Sequence, residues 1–388
     1  MNIKPLAFAT VVILTTTQTF SAALDRSGQS ISAFLQPGNY AEIGISALDP
    51  DVSGKDNAGN SLADVGDFYH SLSAAIKIQQ TEKLSLGLLF DQPYGAKSSY
   101  GGVNTFTNTL SSGVQNSSKA KVETYNFTGL LGYQVLPNLT AFGGLSYQQI
   151  EGGVDLRGVS YGYLNGYSNQ MKKDGAVGWI SGLAYEIPDI ALKTSLTYHS
   201  KVNHKLDAHE KNPLFTALPS SLDSQVKVTT PDSINLDFQI GVIKDTVAFA
   251  NLRWVNWSSF YIQPTLFGSI AASLYPDTNG FNFLDYSNDQ WSANVGIGRK
   301  INEKLSGSVS VGWDSGNGVP IGTLGPTDGY WSAGIGMRYM LTPKIDLSGG
   351  FKYLWLGDAN GTVAERFEVS EFRNNHAIGF GIKVGYHF

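Results

Sequence analysis

HAIGFGIKVGYHF, residues 376–388, closes the chain, and its reading decides the fold. Successive side chains of an extended strand point to opposite faces. His376, Ile378, Phe380, Ile382, Val384, Tyr386 and Phe388 therefore share one face, and Ala377, Gly379, Gly381, Lys383, Gly385 and His387 the other. One face is apolar and ends in aromatics; the other is glycine and cations. A strand of a soluble sandwich turns its apolar face to a core and has no reason to collect aromatics at its end. A strand with lipid on one side and an aqueous lumen on the other accounts for both faces.

The same alternation recurs along the chain. Leu305, Gly307, Val309, Val311 and Trp313 oppose Ser306, Ser308, Ser310, Gly312 and Asp314, and Trp331, Ala333, Ile335, Met337, Tyr339 and Leu341 oppose Ser332, Gly334, Gly336 and Arg338. Ile345, Leu347, Phe351, Tyr353 and Trp355 stand against Asp346, Ser348 and Lys352. Between such runs, two kinds of connection take turns. Tight turns are read at Thr81-Glu82-Lys83, Leu136-Pro137-Asn138, Ile187-Pro188-Asp189, Lys244-Asp245, Asn302-Glu303 and Thr342-Pro343-Lys344. Longer polar or glycine-rich segments are read at roughly 49–68, 93–121, 156–172, 203–224, 261–284, 315–329 and 358–373. Six short turns and seven long loops join fourteen strands. An even number of antiparallel strands, short-looped at one end and long-looped at the other, is the pattern of an outer-membrane β-barrel. Lipid offers no partner for backbone N–H and C=O groups, so the sheet must close on itself. The expectation is an all-β, 14-stranded antiparallel transmembrane β-barrel over residues 39–388, its last strand paired with the first near Asn39 to Leu48.

Composition agrees. The chain has 44 glycines, 12% aromatic and 15% charged residues, and no cysteine, which excludes disulfides and thiolate metal sites. Its net charge of −5 gives no reason to expect a nucleic-acid partner. Met1 to Lys4 form a short basic start, Leu6 to Leu14 an apolar run, and Ser21-Ala22-Ala23 a small-residue cleavage site, so residues 1–23 read as a secretory signal peptide. No later stretch is apolar for long enough to make a transmembrane helix. The mature chain begins with LDRSGQSISAFLQPG, residues 24–38, a short plug segment ahead of the first strand.

Several stretches together resemble the FadL/TodX family of outer-membrane transporters for long-chain fatty acids and other hydrophobic compounds. They are NYAEIGISALDPDVSG (39–54), LLFDQPYGA (88–96), TPDSINLDFQIGV (230–242), NLRWVNWSSF (251–260) and YWSAGIGMRYMLTPKIDLSGGFKYLWLGDA (330–359). The resemblance implies a passive channel that captures hydrophobic molecules on its extracellular loops. It also implies sideways release by a kinked third strand, here LSLGLLFDQPYGA (84–96), where Gly87 weakens pairing and Pro93 lacks a ladder donor. The terminal Phe388 resembles the signal that barrel assembly machinery reads. One departure stands out: members usually carry a longer plug with an Asn-Pro-Ala motif, which is missing here, so the resemblance implies a less well filled lumen.

Two loops supply apolar side chains for capture. RGVSYGYLNGYSNQMKK (157–173) presents Tyr161, Tyr163, Leu164, Tyr167 and Met171; KNPLFTALPSSL (211–222) presents Leu214, Phe215 and Leu218. In the family such a pair of loops forms an external hydrophobic groove, and exposed apolar clusters are binding surfaces on general grounds. The fifth loop, FYIQPTLFGSIAASLYPDTNGF (260–281), is apolar enough to lean over the same entrance. A fatty-acid carboxylate inside the barrel calls for a cation in a partly dry site. Strand parity gives Arg253, Arg299, Arg338, Lys352 and Lys383 as lumenal, with Arg253 and Lys352 near mid-strand, and Asp237, Asp314 and Asp346 to pair with them.

Other classes fit less well. An enzyme needs a nucleophile and base, yet no G-x-S-x-G elbow occurs, and His199, His204, His209 and Glu210 in HSKVNHKLDAHE lack zinc spacing and read as a solvated loop. No cofactor or metal is expected, and with no nucleotide motif any transport runs down a gradient. A general diffusion porin for small polar solutes is the main alternative, since a short plug leaves lumen space. An adhesin or phage receptor would use the same loops.

Overall fold

The computed structural model describes residues 24–109, 115–278, 280–318, 321–363 and 367–388; the expected signal peptide lies outside them. The barrel strands are β1 (Tyr40–Asp51), β2 (Tyr69–Gln79), β3 (Leu84–Asp91, resuming at Gly95–Ser99), β4 (Lys119–Leu136), β5 (Leu139–Asp155), β6 (Ser168–Ile187) and β7 (Leu192–His199, resuming at Val202–Lys211). They continue as β8 (Ser221–Thr230, resuming at Ser233–Ile243), β9 (Thr246–Val255), β10 (Gln290–Lys300), β11 (Leu305–Asp314), β12 (Tyr330–Met340), β13 (Ile345–Leu356) and β14 (His376–His387). Each pairs antiparallel with the next, and β14 pairs with β1 from Tyr40↔His387 to Asp51↔His376, so the fourteen-stranded sheet closes.

The final strand behaves as its alternation requires. Phe380, Ile382, Val384, Tyr386 and Phe388 are exposed on the outside, while Ala377, Gly379 and Gly381 face inward and are buried. The wider outer surface repeats this with Ile43, Leu88, Leu131, Leu183, Leu236, Val309, Ile335 and Phe351. Tryptophans mark the upper edge of that band. Trp254 lies opposite Trp291, and Trp313 opposite Trp331, which in turn lies opposite Trp355. Rings set at one height across neighbouring strands are what an interfacial aromatic girdle requires.

Parity places one cation differently from its expectation. Arg299 shares the outward face of β10 with Val295 and Ile297 and is exposed at the short-turn end, where a long side chain can reach the headgroups. Gly296 and Gly298, which follow Asn294 on the inner face, carry no polarity to contradict a misread phase. Two of the lumenal cations pair locally: Arg338 Nη2 lies 3.0 Å from Asp346 Oδ2, and Lys383 Nζ 2.9 Å from Glu42 Oε2.

The six tight turns fall where expected, but the fourth long loop is much shorter. Residues 202–211 and 221–230 are an extension of the β7–β8 hairpin, leaving only 212–220 as loop. His204 and Glu210 are consequently buried strand residues and not part of a solvated loop. Polar outward residues such as Asn203, Lys205 and Asp207 masked the alternation, because this hairpin rises above the apolar band and its outer face meets water instead of lipid.

At the long-loop end the loops pack together into a cap. Gly54–Asp56, Ser61–Leu62, Ile321–Gly322, Ala359–Val363 and Phe367–Phe372 form a small sheet shared by the first, sixth and seventh loops. The fifth loop contributes helix α1 (Thr265–Leu274), with Leu266, Phe267, Ile270 and Ala271 buried beneath it. The N-terminal residues run inside the barrel, with Leu24, Asp25, Arg26, Ser27, Ile31, Ala33, Phe34 and Gln36 all buried.

Candidate functional site

Two cavities flank the N-terminal segment. The upper one, beneath the loops, has a volume of about 160 Å³ and an apolar lining that includes Leu24, Tyr161, Leu164, Met171, Phe267 and Phe283. No lysine or arginine lines it among the described residues. Three of the expected capture residues, Tyr161, Leu164 and Met171, are thus in its wall and buried. The Tyr161 hydroxyl is 2.9 Å from Thr323 Oγ1, and burial pushes its phenol up to about 12, so it serves as a neutral hydrogen-bonding wall.

Tyr167 is also buried, and the other expected loop residues lie outside. Tyr163 is 62% and Leu214 49% exposed, and the Tyr163 ring meets that of Phe215 edge-on at 6.0 Å. Phe215 and Leu218 are half-buried against the packed cap. Tyr163 of the third loop and Leu214 and Phe215 of the fourth therefore share one surface patch, while Tyr161 and Leu164 point inward.

Sequence reasoning missed Glu210. It is fully buried at the top of β7 and accepts hydrogen bonds from Leu266 N at 3.0 Å, Phe267 N at 2.9 Å, the Tyr167 hydroxyl at 2.8 Å and Ser224 Oγ at 3.2 Å. A carboxylate at a helix N-terminus satisfies backbone donors that have no partner within the helix. Glu210 thereby holds α1 over the cavity, where Phe267 forms part of the roof. Burial beside this carboxylate pushes the Tyr167 phenol strongly upward. Nothing in HKLDAHE marks Glu210 as buried, and only the alternation Leu206, Ala208, Glu210 hints at its inward face.

The N-terminal segment is pinned at three levels. Backbone bonds Arg26 N→Pro93 O and Gly95 N→Leu24 O, both 2.7 Å, lay it along the break in β3, and the Arg26 guanidinium stacks 3.5 Å over Tyr69. Arg253 bonds Asp25 Oδ2 through Nε at 2.6 Å and also reaches Gly28 O and Gln29 Oε1. Deeper down, Phe34 meets Phe142 at 6.1 Å and fills the space left by two glycines. A Cβ on Gly87 would lie 2.5 Å from the Phe34 ring, and one on Gly132 2.9 Å. Gly87 thus cradles Phe34, and Pro93 sits where the N-terminal backbone docks. Arg253 lines the lower cavity, but its guanidinium is engaged by this segment and by Ser233 and Asn235.

Lys352 is different. It is 2% exposed, lines the lower cavity with Asn126, Asn235, Asn294 and His199, and makes no hydrogen bond or ion pair among the described residues. Of the two mid-strand cations singled out in the sequence, it is the one left unpaired.

A closed barrel with an apolar outer belt, a loop cap and a greasy cavity defines an outer-membrane channel for hydrophobic compounds. The chain belongs to the outer membrane protein transport protein family (OMPP1/FadL/TodX), whose model matches residues 39–388. This is a family of transport proteins, not of enzymes. Among solved structures it is similar to a Pseudomonas aeruginosa FadL homologue at 15% identity and a TM-score of 0.69, covering 92% of this chain and 91% of that one. The Pseudomonas putida toluene transporter TodX aligns at 13% identity and 0.65, over 96% and 98%. The Ralstonia pickettii toluene transporter TbuX aligns at 12% and 0.61, over 92% and 91%. These likenesses concern the fold. No curated protein matches the chain.

Proposed function

We propose that the chain carries long-chain fatty acids passively across the outer membrane. The observation that carries this reading is the pair of cavities: an apolar one under the loops and, below the N-terminal segment, one holding the unpaired Lys352. A dry cavity of about 150 Å³ is enough for one benzene ring, so the upper cavity accommodates a ring or a stretch of alkyl chain. The exposed patch of Tyr163, Leu214, Phe215 and Leu218 takes the molecule from outside, and the cavity of Tyr161 and Leu164 receives it. An unpaired ammonium buried in protein is costly unless an anion joins it. Lys352 supplies that charge for a carboxylate, whereas a neutral hydrocarbon would leave it uncompensated. Arg253 acts instead by holding residues 24–38, the plug, in the lumen. With Ile31 and Phe34 packed there, the aqueous diffusion pore is disfavoured.

The test is uptake of labelled oleate by cells lacking their own fatty-acid transporter and expressing this protein, with a labelled sugar in parallel. Oleate entry without sugar entry is expected; sugar entry alone would mean an open aqueous pore.

A further inference from the structure

Above the aromatic girdle, the outward lysines of the longest strands fall into two groups. Those on β4 have carboxylates: Lys119 Nζ lies 3.3 Å from Asp155 Oδ2, and Lys121 Nζ 2.9 Å from Glu123 Oε1. On β6, β7 and β8, Lys172, Lys173, Lys201, Lys205, Lys211 and Lys227 are all exposed, and none makes an ion pair among the described residues. Lys211 stands at the far tip of the β7–β8 hairpin; the other five lie together below it.

Local structure gathers them. In the β5–β6 ladder Ile150 pairs with Asp174 and Gly152 with Met171, so Lys172 and Lys173 both stand opposite the single residue Glu151. A bulge re-aims side chains in this way, and both lysines are exposed where strict alternation would turn one inward. Across the β7–β8 ladder Lys205 pairs directly with Lys227. Like charges opposite one another on one face destabilise a ladder, and no carboxylate among the described residues relieves this pair. The carboxylates nearby are engaged elsewhere. Asp174 Oδ2 accepts from Lys205 N at 3.2 Å, which sets the bulge beside β7, and lies 3.0 Å from His204 Nδ1 on the inner side. Asp207 Oδ1 takes Gln225 Nε2 at 3.2 Å, and Asp223 Oδ1 lies 2.6 Å from His209 Nδ1.

The girdle fixes their height. Trp179 and Tyr198, their rings 5.0 Å apart, mark the edge of the apolar band on β6 and β7. Lys201 follows Tyr198 by three residues and Lys205 by seven, and Lys173 precedes Trp179 by six. At about 3.3 Å per residue and a strand tilt of about 40°, the lysines stand roughly 8–18 Å above the rings. Hydrocarbon has ended at that level, and the hydrated sugars and phosphates of the outer leaflet take its place. We propose that this lysine face binds the phosphorylated headgroup of lipopolysaccharide. A phosphate is a concentrated anion for which lysine serves as a point charge, and one seated between Lys205 and Lys227 turns their repulsion into two attractions. The paired lysines of β4 have no such charge to give. The assignment needs only the outer-membrane placement of the barrel and stands whatever the channel carries.

The test titrates the purified barrel, in detergent, with a short-core lipopolysaccharide, with the same molecule after removal of its phosphates, and with inorganic phosphate. Wild type should hold the phosphorylated lipid roughly tenfold or more tighter than the dephosphorylated form, since several lysines near an anionic surface act together. That preference should weaken as salt rises. Lys205→Gln with Lys227→Gln should remove most of it and Lys172→Gln with Lys173→Gln should lower it, whereas Lys119→Gln with Lys121→Gln should leave it unchanged. Lys205→Glu separates binding from folding: it gives Lys227 a cross-strand partner, so the hairpin should resist protease at least as well as wild type while the lipid preference falls. Absence of the preference in wild type, or its survival in the Lys205→Gln, Lys227→Gln variant, would overturn the proposal. Inorganic phosphate binding as tightly as the lipid would also overturn it, by reducing the face to a general anion site.

Discussion

Arg253 and Asp25 form a buried ion pair, Nε to Oδ2 at 2.6 Å, that ties the segment ahead of β1 to the C-terminal end of β9. Their side chains are 5% and 2% exposed, so neither charge is solvated once its partner is lost. Breaking a buried pair from one side costs about 3–5 kcal/mol, because it strands the other charge. Asp25→Asn or Arg253→Gln should therefore release residues 24–38 while the barrel, held by its own ladders, stays folded. Cells carrying either variant should become sensitive to a small hydrophilic antibiotic excluded by the wild type. Unchanged sensitivity, with proteolysis showing the segment detached, would mean that these residues do not close the lumen.

A second, independent hold can be tested by shape alone. Phe34 occupies the hollow made by Gly87 and Gly132, where any added Cβ would collide with the ring. Gly87→Ala should displace Phe34 and raise antibiotic entry, although alanine suits a strand better than glycine. Adding Phe34→Ala should remove the clash, so the double variant should show less effect from Gly87→Ala than the wild-type background does. Additive effects of the two changes would mean that Gly87 shapes the strand and not the seat of Phe34.

How much of this was legible follows from what each residue faces. The lipid-facing strands declare themselves, because lipid outside and water inside force opposite chemistry onto alternate residues, as in Val309, Val311 and Trp313. Once the β7–β8 hairpin leaves the membrane that contrast disappears, and Lys205 and Asp207 read as loop although they are strand. Cavity residues separate similarly. Tyr161, Leu164, Leu214 and Phe215 are legible as apolar side chains in polar loops. Glu210 is not, since its role depends on backbone donors of α1, more than fifty residues away in sequence. The pairing of Arg253 with Asp25 is likewise invisible to strand parity, which gives the side a residue faces but not its partner there.

Replacing Lys352 is the substitution that tests acids against hydrocarbons. Replacing a buried, unpaired ammonium by Lys352→Met removes a charge without stranding a protein partner, so the barrel should be as stable as before or more so. Oleate uptake should fall, most at low concentration, while entry of a neutral hydrocarbon such as toluene should be unchanged. Equal loss of both would show that the substitution blocks the passage physically; loss of neither would remove Lys352 from the ligand path.

The outer patch should govern capture alone. Changing Leu214, Phe215 and Leu218 to Ser together deletes apolar surface from the fourth loop without touching the lining residues Tyr161 and Leu164. Uptake at low ligand concentration should drop and recover at high concentration, with heat-modifiable gel mobility showing an intact barrel. Uptake unchanged at every concentration would remove the patch from the route.

Glu210 offers the most specific test of the loop cap. In Glu210→Ala, Leu266 N, Phe267 N and the Tyr167 hydroxyl lose their shared acceptor, and each buried donor left unsatisfied costs about 1–3 kcal/mol. The barrel ladders do not pass through these groups, so the loss should appear locally, as cleavage within 260–284 by a protease that leaves the strands intact. Glu210→Gln keeps one acceptor oxygen and should fall between the two. If α1 roofs the cavity, binding of a fluorescent fatty acid should weaken in the same order, wild type, glutamine, alanine. Protease sensitivity that rises while affinity stays constant would show that Glu210 holds α1 in place but that the helix adds nothing to the ligand's binding energy.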